Sequence, residues 1–283
     1  MPMIQFLKLP FVPFKKVVQN LSITQIIELS STSTRASKRM AQINHSIIML
    51  EVKLEDDCGK VLCTSASKNT CTWRFEKKDE TTILNSLLTL NGENVRVNRY
   101  LQWVSPDEES AEFETEDHYM ATKILSAHLE KLFNIVLSIA TLKTDHVETF
   151  NTKYFDPFYQ NCPCHIIRSK CFTAHHLNSL NCVEVNVIER SIRKQDINAF
   201  IRLWKNGNFP ALKILHVQCL IDNDDAQLSE LDVMDTEHWP LLQRDENGQR
   251  TIYKQGYCVQ NVHGDLARVA VFRDFILMRV GPK

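Results

Sequence analysis

The chain has 283 residues, and its 33 basic and 34 acidic side chains leave a formal net charge of −1. Proteins that bind nucleic acids or anionic membranes usually carry an excess of basic residues. This chain has no such excess, so neither a nucleic acid nor an anionic membrane is expected as a partner. Apolar residues make up 43% and charged residues 24% of the chain, as in ordinary globular proteins. No run approaches the roughly 18 apolar residues of a membrane span.

The N-terminal apolar residues are interrupted by Lys8, Lys15 and Lys16, and no small-residue cleavage site follows them. We therefore expect no secretory signal peptide. The nine cysteines are an odd number and lie mostly within apolar stretches. They are expected to be reduced, mostly buried thiols of an intracellular protein of the cytoplasm, the nucleus or both.

The first forty residues predict three short helices. Phe14, Val17, Val18 and Leu21 recur at helical spacing and predict one apolar stripe. Ser22 and Gln25 have the spacing of a capping box and begin a second helix that carries Ile26, Ile27 and Leu29. Ser33 can cap a third helix that ends near Met40. Three helices in about 35 residues expose more apolar surface than they can bury alone, so other contacts must cover the excess.

This pattern resembles an F-box, the module that docks substrate receptors onto the Skp-type adaptor of SCF ubiquitin ligases. Leu9-Pro10 matches the Leu-Pro pair of the family, residues 25–30 match its Asp-Leu-Leu-x-Leu-Ser segment, and residues 33–35 match its Ser-Lys-Arg. Two positions depart from the family: Ala36 stands where many members have Trp, and Thr32 where many have Val or Cys. The alternative is an ordinary amphipathic helical cap on a larger domain. The resemblance implies that the adaptor-binding residues are Leu9, Pro10, Phe14, Val17, Val18, Leu21, Ile26, Leu29, Ser30 and Arg35.

Residues 46–104 alternate like strands and predict a small antiparallel sheet with strands near 47–54, 60–65 and 70–75. Residues 57–59 and 67–69 are plausible turns between those strands. The acidic segment 105–117 begins with Ser105-Pro106 and predicts a linker or a solvated loop before a helix.

A helical pattern at 120–133 and a strand at 135–139 follow. Residues 171–178 and 191–198 form a weak internal repeat, with strands predicted at 183–187 and 212–217. Between those strands Ile197, Phe200, Ile201 and Trp204 form an apolar stripe, and Gly207 offers a helix C-cap. Strand, helix and strand with short joins should pair in parallel. Repeats of about 20 to 30 residues indicate a leucine-rich-repeat-like solenoid, although chance similarity of amphipathic helices is the alternative.

The C-terminal part predicts β-hairpins. Asn247-Gly248 is a type I′ turn signal, residues 256–271 read as a second hairpin, and 275–280 as a final strand. This half resembles the type-two F-box-associated domain of the large nematode families. The resemblance rests on residues 196–213, which include the Trp-x-x-Gly element Trp204 to Gly207, and on the turn with Asn261, His263 and Gly264.

The predicted fold class is therefore α+β / α/β, with a three-helix F-box, a small β region and a leucine-rich-repeat-like α/β solenoid that ends in β-hairpins. The predicted divisions are an F-box at 1–45, a connecting β region at 46–104, an acidic loop at 105–117 and an F-box-associated, repeat-like substrate-recognition domain at 118–283.

No catalytic, metal or cofactor site is predicted. Cys162, Cys164 and His165, followed by Cys171 and His175-His176, invite a zinc site, but the first two ligands stand closer than the usual pairs. Buried thiols and surface histidines are the expected alternative. The acidic segment 222–225 lacks the Gly and Glu of a calcium-binding loop. There is no phosphate-binding Gly-rich loop and no Gly-x-Ser-x-Gly motif.

The sequence thus predicts a non-catalytic substrate receptor of an SCF-type E3 ubiquitin ligase, a protein-binding subunit of the ubiquitin conjugation pathway. Its expected partners are a Skp-type adaptor, through it a cullin, and an unknown protein substrate. One alternative is a repeat-like protein-interaction scaffold with no ubiquitin role. An enzyme built on an α/β core is a third possibility, which the missing catalytic constellation disfavours.

Overall fold

The structure, a computed structural model, describes residues 7–43, 45–78, 84, 86–90, 92–104, 108–146, 156–188, 192–218, 243–244, 250–251, 255–272 and 275–281. The chain divides into two compact units, Met1–Ile139 and Ala140–Lys283. Each unit is a layer of β-sheet with short helices. No helix of the described residues is long and apolar enough to span a membrane.

The first unit combines N-terminal helices, a mixed sheet and a longer helix. Strands β1, β2 and β3 pair antiparallel, β3 pairs β6 in parallel, and β5 joins β6 to β4 through antiparallel pairs. The elements are α1 (Phe11–Val18), α2 (Ile23–Ser31), α3 (Thr34–Met40), β1 (Ile47–Leu54), β2 (Cys58–Ser65), β3 (Thr70–Lys77), β4 (Ser86–Leu90), β5 (Glu93–Val104), β6 (Glu108–Thr115) and α4 (His118–Phe133).

Alternation along the strands places the core of this unit under helix α4. Leu50, Val52 and Leu54 are buried while the residues between them are not, because successive strand side chains point to opposite faces. Helix α4 packs on β1, β2 and β3. It begins at His118, two residues before the predicted pattern at 120–133, and the Asp117 side chain accepts a hydrogen bond from Met120 N.

The second unit contains three parallel strands, followed on one side by antiparallel strands. The strand order is β13-β14-β15-β10-β9-β8-β7, in which β8, β9 and β10 are parallel and β10, β15, β14 and β13 are antiparallel. A separate two-stranded ribbon pairs β11 with β12. The elements are β7 (Ile139–Lys143), α5 (Pro157–Gln160), β8 (Cys164–Arg168), α6 (Ala174–Ser179), β9 (Glu184–Val187), α7 (Lys194–Lys205), β10 (Ile214–Gln218), β11 (Gln243–Arg244), β12 (Arg250–Thr251), β13 (Gln255–Gln260), β14 (Leu266–Val271) and β15 (Phe275–Gly281).

The strand–helix–strand prediction around α7 is confirmed. Strands β9 and β10 pair in parallel, and the predicted apolar stripe of α7 is buried, with Trp204 only 1% exposed. Gly207 ends the helix with a φ of +90°, a conformation that glycine adopts without steric cost. A Cβ there would lie 2.6 Å from Nε2 of His263, in the turn between β13 and β14.

The predicted fold class is wrong. The described residues are mostly β, in mixed sheet with seven helices, and neither a separate three-helix F-box nor a solenoid is evident. Helices α1 to α3 are not a module of their own, because α2 contacts β4 and β6 and α3 contacts α4. The strands β13 to β15 return antiparallel beside β10, so the three parallel strands are part of an open sheet. The predicted domain boundaries stay a prediction.

Three local predictions also need correction. Residues 108–115, expected in the acidic loop, form strand β6. The strand expected at 135–139 lies at Ile139–Lys143. Cys58 and Gly59, placed in a turn, belong to β2. The predicted turn at Asn247-Gly248 and the acidic segment 222–225 lie outside the described residues.

Candidate functional site

The apolar side chains of helices α1 and α2 divide between two sides rather than forming one stripe. Phe14 and Val18 are fully buried and Ile26 is 4% exposed, whereas Val17 is 42% exposed. Spacing alone did not separate these sides, because Phe14, Val17 and Val18 all lie within one turn of each other. The buried residues contribute to the core of the first unit and cannot contact a partner.

Helix α1 and the residue before it carry exposed apolar side chains, which we together call the α1 patch: Pro10, Phe11, Val12 and Val17. Val12 is 65% and Phe11 44% exposed, although neither was among the residues predicted to bind a partner. Phe11 and Val12 lie in the first helical turn, directly after Leu9-Pro10. That position was the sequence feature that could have identified them as exposed. The other accessible members of the predicted set are Leu9, Leu21 and Leu29, which are half-buried, and Arg35, which is exposed.

Arg39 holds the segment before α1 in place. Its guanidinium donates hydrogen bonds to the backbone oxygens of Leu7 and Leu9, the latter at 2.8 Å. The same group lies 4.0 Å above the centre of the Phe14 ring, a distance at which a cation and an aromatic face attract. Arg39 therefore positions Leu9 next to the α1 patch, a role that helical spacing did not predict for it.

Hydrogen bonds from the first turn of helix α2 attach it to strand β6 of the sheet. Thr24 donates two hydrogen bonds to Oε2 of Glu109, from its backbone nitrogen at 3.1 Å and from its hydroxyl at 2.7 Å. The sulfur of Cys71 lies 3.2 Å from the same hydroxyl oxygen. Burial raises the pKa of the Cys71 thiol, which stays protonated beside this carboxylate. A carboxylate from β6 thus satisfies a backbone donor in the first turn of α2.

A second tie joins the end of α2 to helix α4. The hydroxyl of Ser30 donates to Ile27 O at 2.8 Å and lies 2.8 Å from Nε2 of His128. A hydroxyl has one hydrogen, so the ring nitrogen is the donor in the second bond. Burial lowers the pKa of His128 to about 4, and the ring is neutral near pH 7. Ser30 belongs to this internal contact and not to an exposed surface.

The capping predictions for these helices are confirmed. Ser22 and Gln25 form the reciprocal capping box at the start of α2. The side chain of Ser33 accepts a hydrogen bond from Ala36 N at the start of α3. These caps explain why helices this short begin where they do.

The cysteine and histidine cluster of the second unit is dispersed. Cys162 donates to Cys164 O at 3.3 Å, whereas Cys171 donates to Asp145 O at 3.1 Å. His165 is 1% exposed, and burial lowers its pKa to about 4. Among the described residues, no three His, Cys, Asp or Glu side chains are grouped to hold a metal ion. The eight described cysteines are all free thiols.

The turn between β13 and β14 is stabilised by hydrogen bonds within the turn. It also contacts the end of helix α7. The side-chain oxygen of Asn261 accepts hydrogen bonds from the backbone nitrogens of His263 and Asp265, at 3.0 and 2.8 Å. The next residue along, Val262, donates its backbone N–H to Lys205 O at the end of α7. The Asn-x-His-Gly element is therefore structural in this unit.

A family model described as F-box associated matches residues 154–217. The matched segment runs from α5 to β10 and includes the three parallel strands of the second unit. It supports an F-box-associated domain in this part of the chain. No curated protein and no solved structure matches the chain.

Proposed function

We propose that the protein is the substrate-recognition subunit of an SCF-type E3 ubiquitin ligase. The N-terminal helices bind a Skp-type adaptor and, through it, a cullin, while the second unit binds a protein substrate. The observation that carries the proposal is the F-box-associated match at residues 154–217. The description of that family points to a substrate-recognition part that works beside an adaptor-binding part.

The α1 patch supports the adaptor-binding part of the proposal. Phe11, Val12 and Val17 are large apolar side chains held outward on one short helix. Removing such side chains fully from water stabilises a complex by about 1.5–3 kcal/mol each. Leu9, whose backbone oxygen Arg39 binds, and the half-buried Leu21 and Leu29 are partly accessible apolar residues of the same helical region.

On this proposal the chain acts inside the cell and has no catalytic role. The ligase reaction belongs to other subunits, and this chain raises the local concentration of substrate lysines near them. Linking two binding surfaces in one chain makes the second encounter intramolecular, which increases its effective concentration.

Substitution of the α1 patch tests the proposal. The double variant Val12→Asp, Val17→Asp places charge where an apolar contact is needed, so copurification with a Skp-type adaptor should fall at least tenfold. Both side chains are exposed, and the melting temperature should stay within a few degrees of the native value. Ile48→Asp is the matched control, because Ile48 is also an exposed apolar residue of the first unit, 62% exposed. Adaptor binding should survive that change.

Replacing Leu9 and Pro10 with Ala tests the residues that directly precede helix α1. Adaptor binding should again be lost while the circular dichroism spectrum is kept. If the native chain fails to bind an adaptor, or if all these variants bind equally well, the ubiquitin role is wrong. A protein-interaction scaffold would then be the better description.

A further inference from the structure

Charge is distributed unevenly within the first unit. Residues 7–43, which contain helices α1 to α3, carry six basic side chains and a single acidic one, Glu28. Residues 44–139, which form the rest of the unit, carry ten basic and sixteen acidic side chains. The nearly balanced charge of the whole chain therefore conceals a cationic N-terminal region next to an acidic remainder.

The lysines of helix α1 lie beside exposed members of the α1 patch. Residues four positions apart are neighbours on a helix surface, with about 5–6 Å between their Cβ atoms. Lys16 follows Val12 by four positions, and Lys15 follows Phe11 by four. Lys16 is exposed and Lys15 is half-buried. Each of the two large apolar side chains in the first turn of α1 thus has a lysine one turn away.

Basic side chains of helix α3 adjoin the same region. Arg35, Lys38 and Arg39 share one side of α3, because they are three and four positions apart. Arg39 donates hydrogen bonds to the backbone oxygens of the residues on both sides of Lys8. The basic side of α3 therefore borders the segment that carries Lys8. We call five of these side chains the basic rim: Lys8, Lys15, Lys16, Arg35 and Lys38.

The basic rim is not neutralised within the described part of the chain. Lys8, Lys16, Arg35 and Lys38 are exposed, and no side chain of the rim forms an ion pair with a described residue. Charges at the border of a protein contact contribute little to its final strength, because they stay in water. They change the rate at which two oppositely charged surfaces meet.

We propose that the basic rim steers the chain onto an acidic protein surface, and that the Skp-type adaptor presents carboxylates around the apolar contact that receives the α1 patch. The inference rests on the proposed function, because it takes the α1 patch as the adaptor-binding surface. The two groups of residues then have separate effects. The apolar side chains set how slowly the complex dissociates, and the cations set how fast it forms.

The surroundings of the basic rim favour a protein over an anionic membrane as the partner. A membrane is a broad anionic surface, which would also repel the acidic remainder of the first unit. A protein can place its carboxylates opposite the rim alone. The apolar part is also small for a membrane-binding helix, since Phe11, Val12 and Val17 are the large exposed apolar side chains of α1.

Association kinetics of the full chain with a purified Skp-type adaptor test the proposal. At about 50 mM salt, Lys16→Glu, Lys38→Glu should lower the association rate constant about tenfold or more and change the dissociation rate constant less than about threefold. At about 500 mM salt the native and variant association rate constants should agree within about threefold, because salt screens exposed charges. Val12→Ala, Val17→Ala should instead act mainly by raising the dissociation rate constant.

The matched control is Lys60→Glu, Lys77→Glu, which changes the net charge equally. Both lysines lie on strands of the first unit, outside the rim, with Lys60 half-buried and Lys77 exposed. The control should alter the association rate constant less than about threefold, because its charges are not at the contact. Lys16→Gln, Lys38→Gln keeps the test valid if charge reversal disturbs folding, and it should slow association in the same direction.

Adaptor association that does not depend on salt or on the rim substitutions would overturn the inference alone, as would equal slowing in the control. No adaptor binding at either salt concentration would overturn the proposed function and this inference with it. Cosedimentation with phosphatidylcholine vesicles, with and without phosphatidylserine, tests the membrane. Binding that requires phosphatidylserine and is lost in Lys16→Glu, Lys38→Glu, while adaptor association is unchanged, would assign the rim to a membrane and overturn the inference.

Discussion

Gly59 shows how a single missing side chain sets the distance between a strand and a helix. A Cβ at this position would lie 2.0 Å from Oγ1 of Thr122 and 3.1 Å from His118 O, both on helix α4. Thr122 cannot move away freely, because its hydroxyl donates to His118 O at 2.6 Å. The close packing of α4 on β2 thus depends on glycine at residue 59.

Gly59→Ala should destabilise the first unit by about 1–3 kcal/mol, the usual cost of forcing an extra methyl group into a packed core. The urea midpoint measures the loss. Gly281→Ala is the control, since a Cβ there meets nothing within 4 Å and should leave the midpoint unchanged. Adding Thr122→Ala should recover part of the lost stability, because it removes the nearest atom. An unchanged midpoint for Gly59→Ala would contradict this packing.

Helix α7 is the element whose sequence pattern and structure agree best. Its stripe is buried as predicted, and its first turn is fixed by Asp196, whose carboxylate accepts the backbone N–H of Arg193 at 3.0 Å. Phe200 also stacks on Phe209, with ring centroids 4.6 Å apart, just beyond Gly207. Both ends and the buried side of this helix are therefore specified by nearby residues.

Trp204→Ala should destabilise the second unit by about 3–5 kcal/mol, the range for large aromatic deletions in cores. Such a loss is a large share of the roughly 5–15 kcal/mol that many proteins have in total, so much of the protein should become insoluble. Thermal unfolding and soluble yield measure the effect. Val183→Ala, at an apolar residue that is 41% exposed, should cost far less. A normal melting temperature for Trp204→Ala, with loss of substrate binding alone, would show that the residue is a ligand contact.

Elements with a local signal could be predicted from sequence, and those that depend on distant pairing could not. The capping box at Ser22 and the stripe of α7 are local, and both were read correctly. Residues 108–115 looked like an acidic loop because Glu109, Glu112 and Glu114 dominate the segment. They form a strand because β6 pairs with β3 on one side and with β5 on the other. Charge composition alone does not predict such strand pairing.

The candidate site also depends on contacts between residues distant in sequence, which local patterns do not predict. Helical spacing identified the apolar residues of α1, but the assignment of inner and outer sides required the position of the sheet. Phe14 and Val18 face the core, so the accessible surface moves to Phe11, Val12 and Val17.

At the scale of the whole molecule, each unit contains a buried histidine whose pKa burial lowers to about 4: His128 in the first and His165 in the second. In the unfolded chain each ring takes up a proton below its ordinary pKa near 6.5. The folded state binds that proton only near pH 4, so acid favours unfolding between those two values. Above pH 6.5 both states are neutral, and these groups have no effect.

Lowering the pH from 7 to 5 should therefore reduce the free energy of unfolding by about 2 kcal/mol for each of these histidines. His128→Gln keeps a donor toward Ser30 without a titrating ring, and its loss of stability over this interval should be correspondingly smaller. Urea midpoints at the two pH values measure the difference. His175→Gln is the control, because His175 is exposed and its removal should leave the pH dependence intact. Identical pH dependence in the native chain and His128→Gln would contradict the neutral buried ring.

The two ties of helix α2 have a consequence for biosynthesis. Thr24 and Ser30 are made early, yet their partners Glu109 and His128 leave the ribosome about eighty to one hundred residues later. During translation the inner side of the N-terminal helices stays uncovered until β6 and α4 have been synthesised. If the proposed function holds, a nascent or truncated chain would therefore present the proposed adaptor-binding surface poorly, and only copies whose first unit is complete would bind the adaptor well.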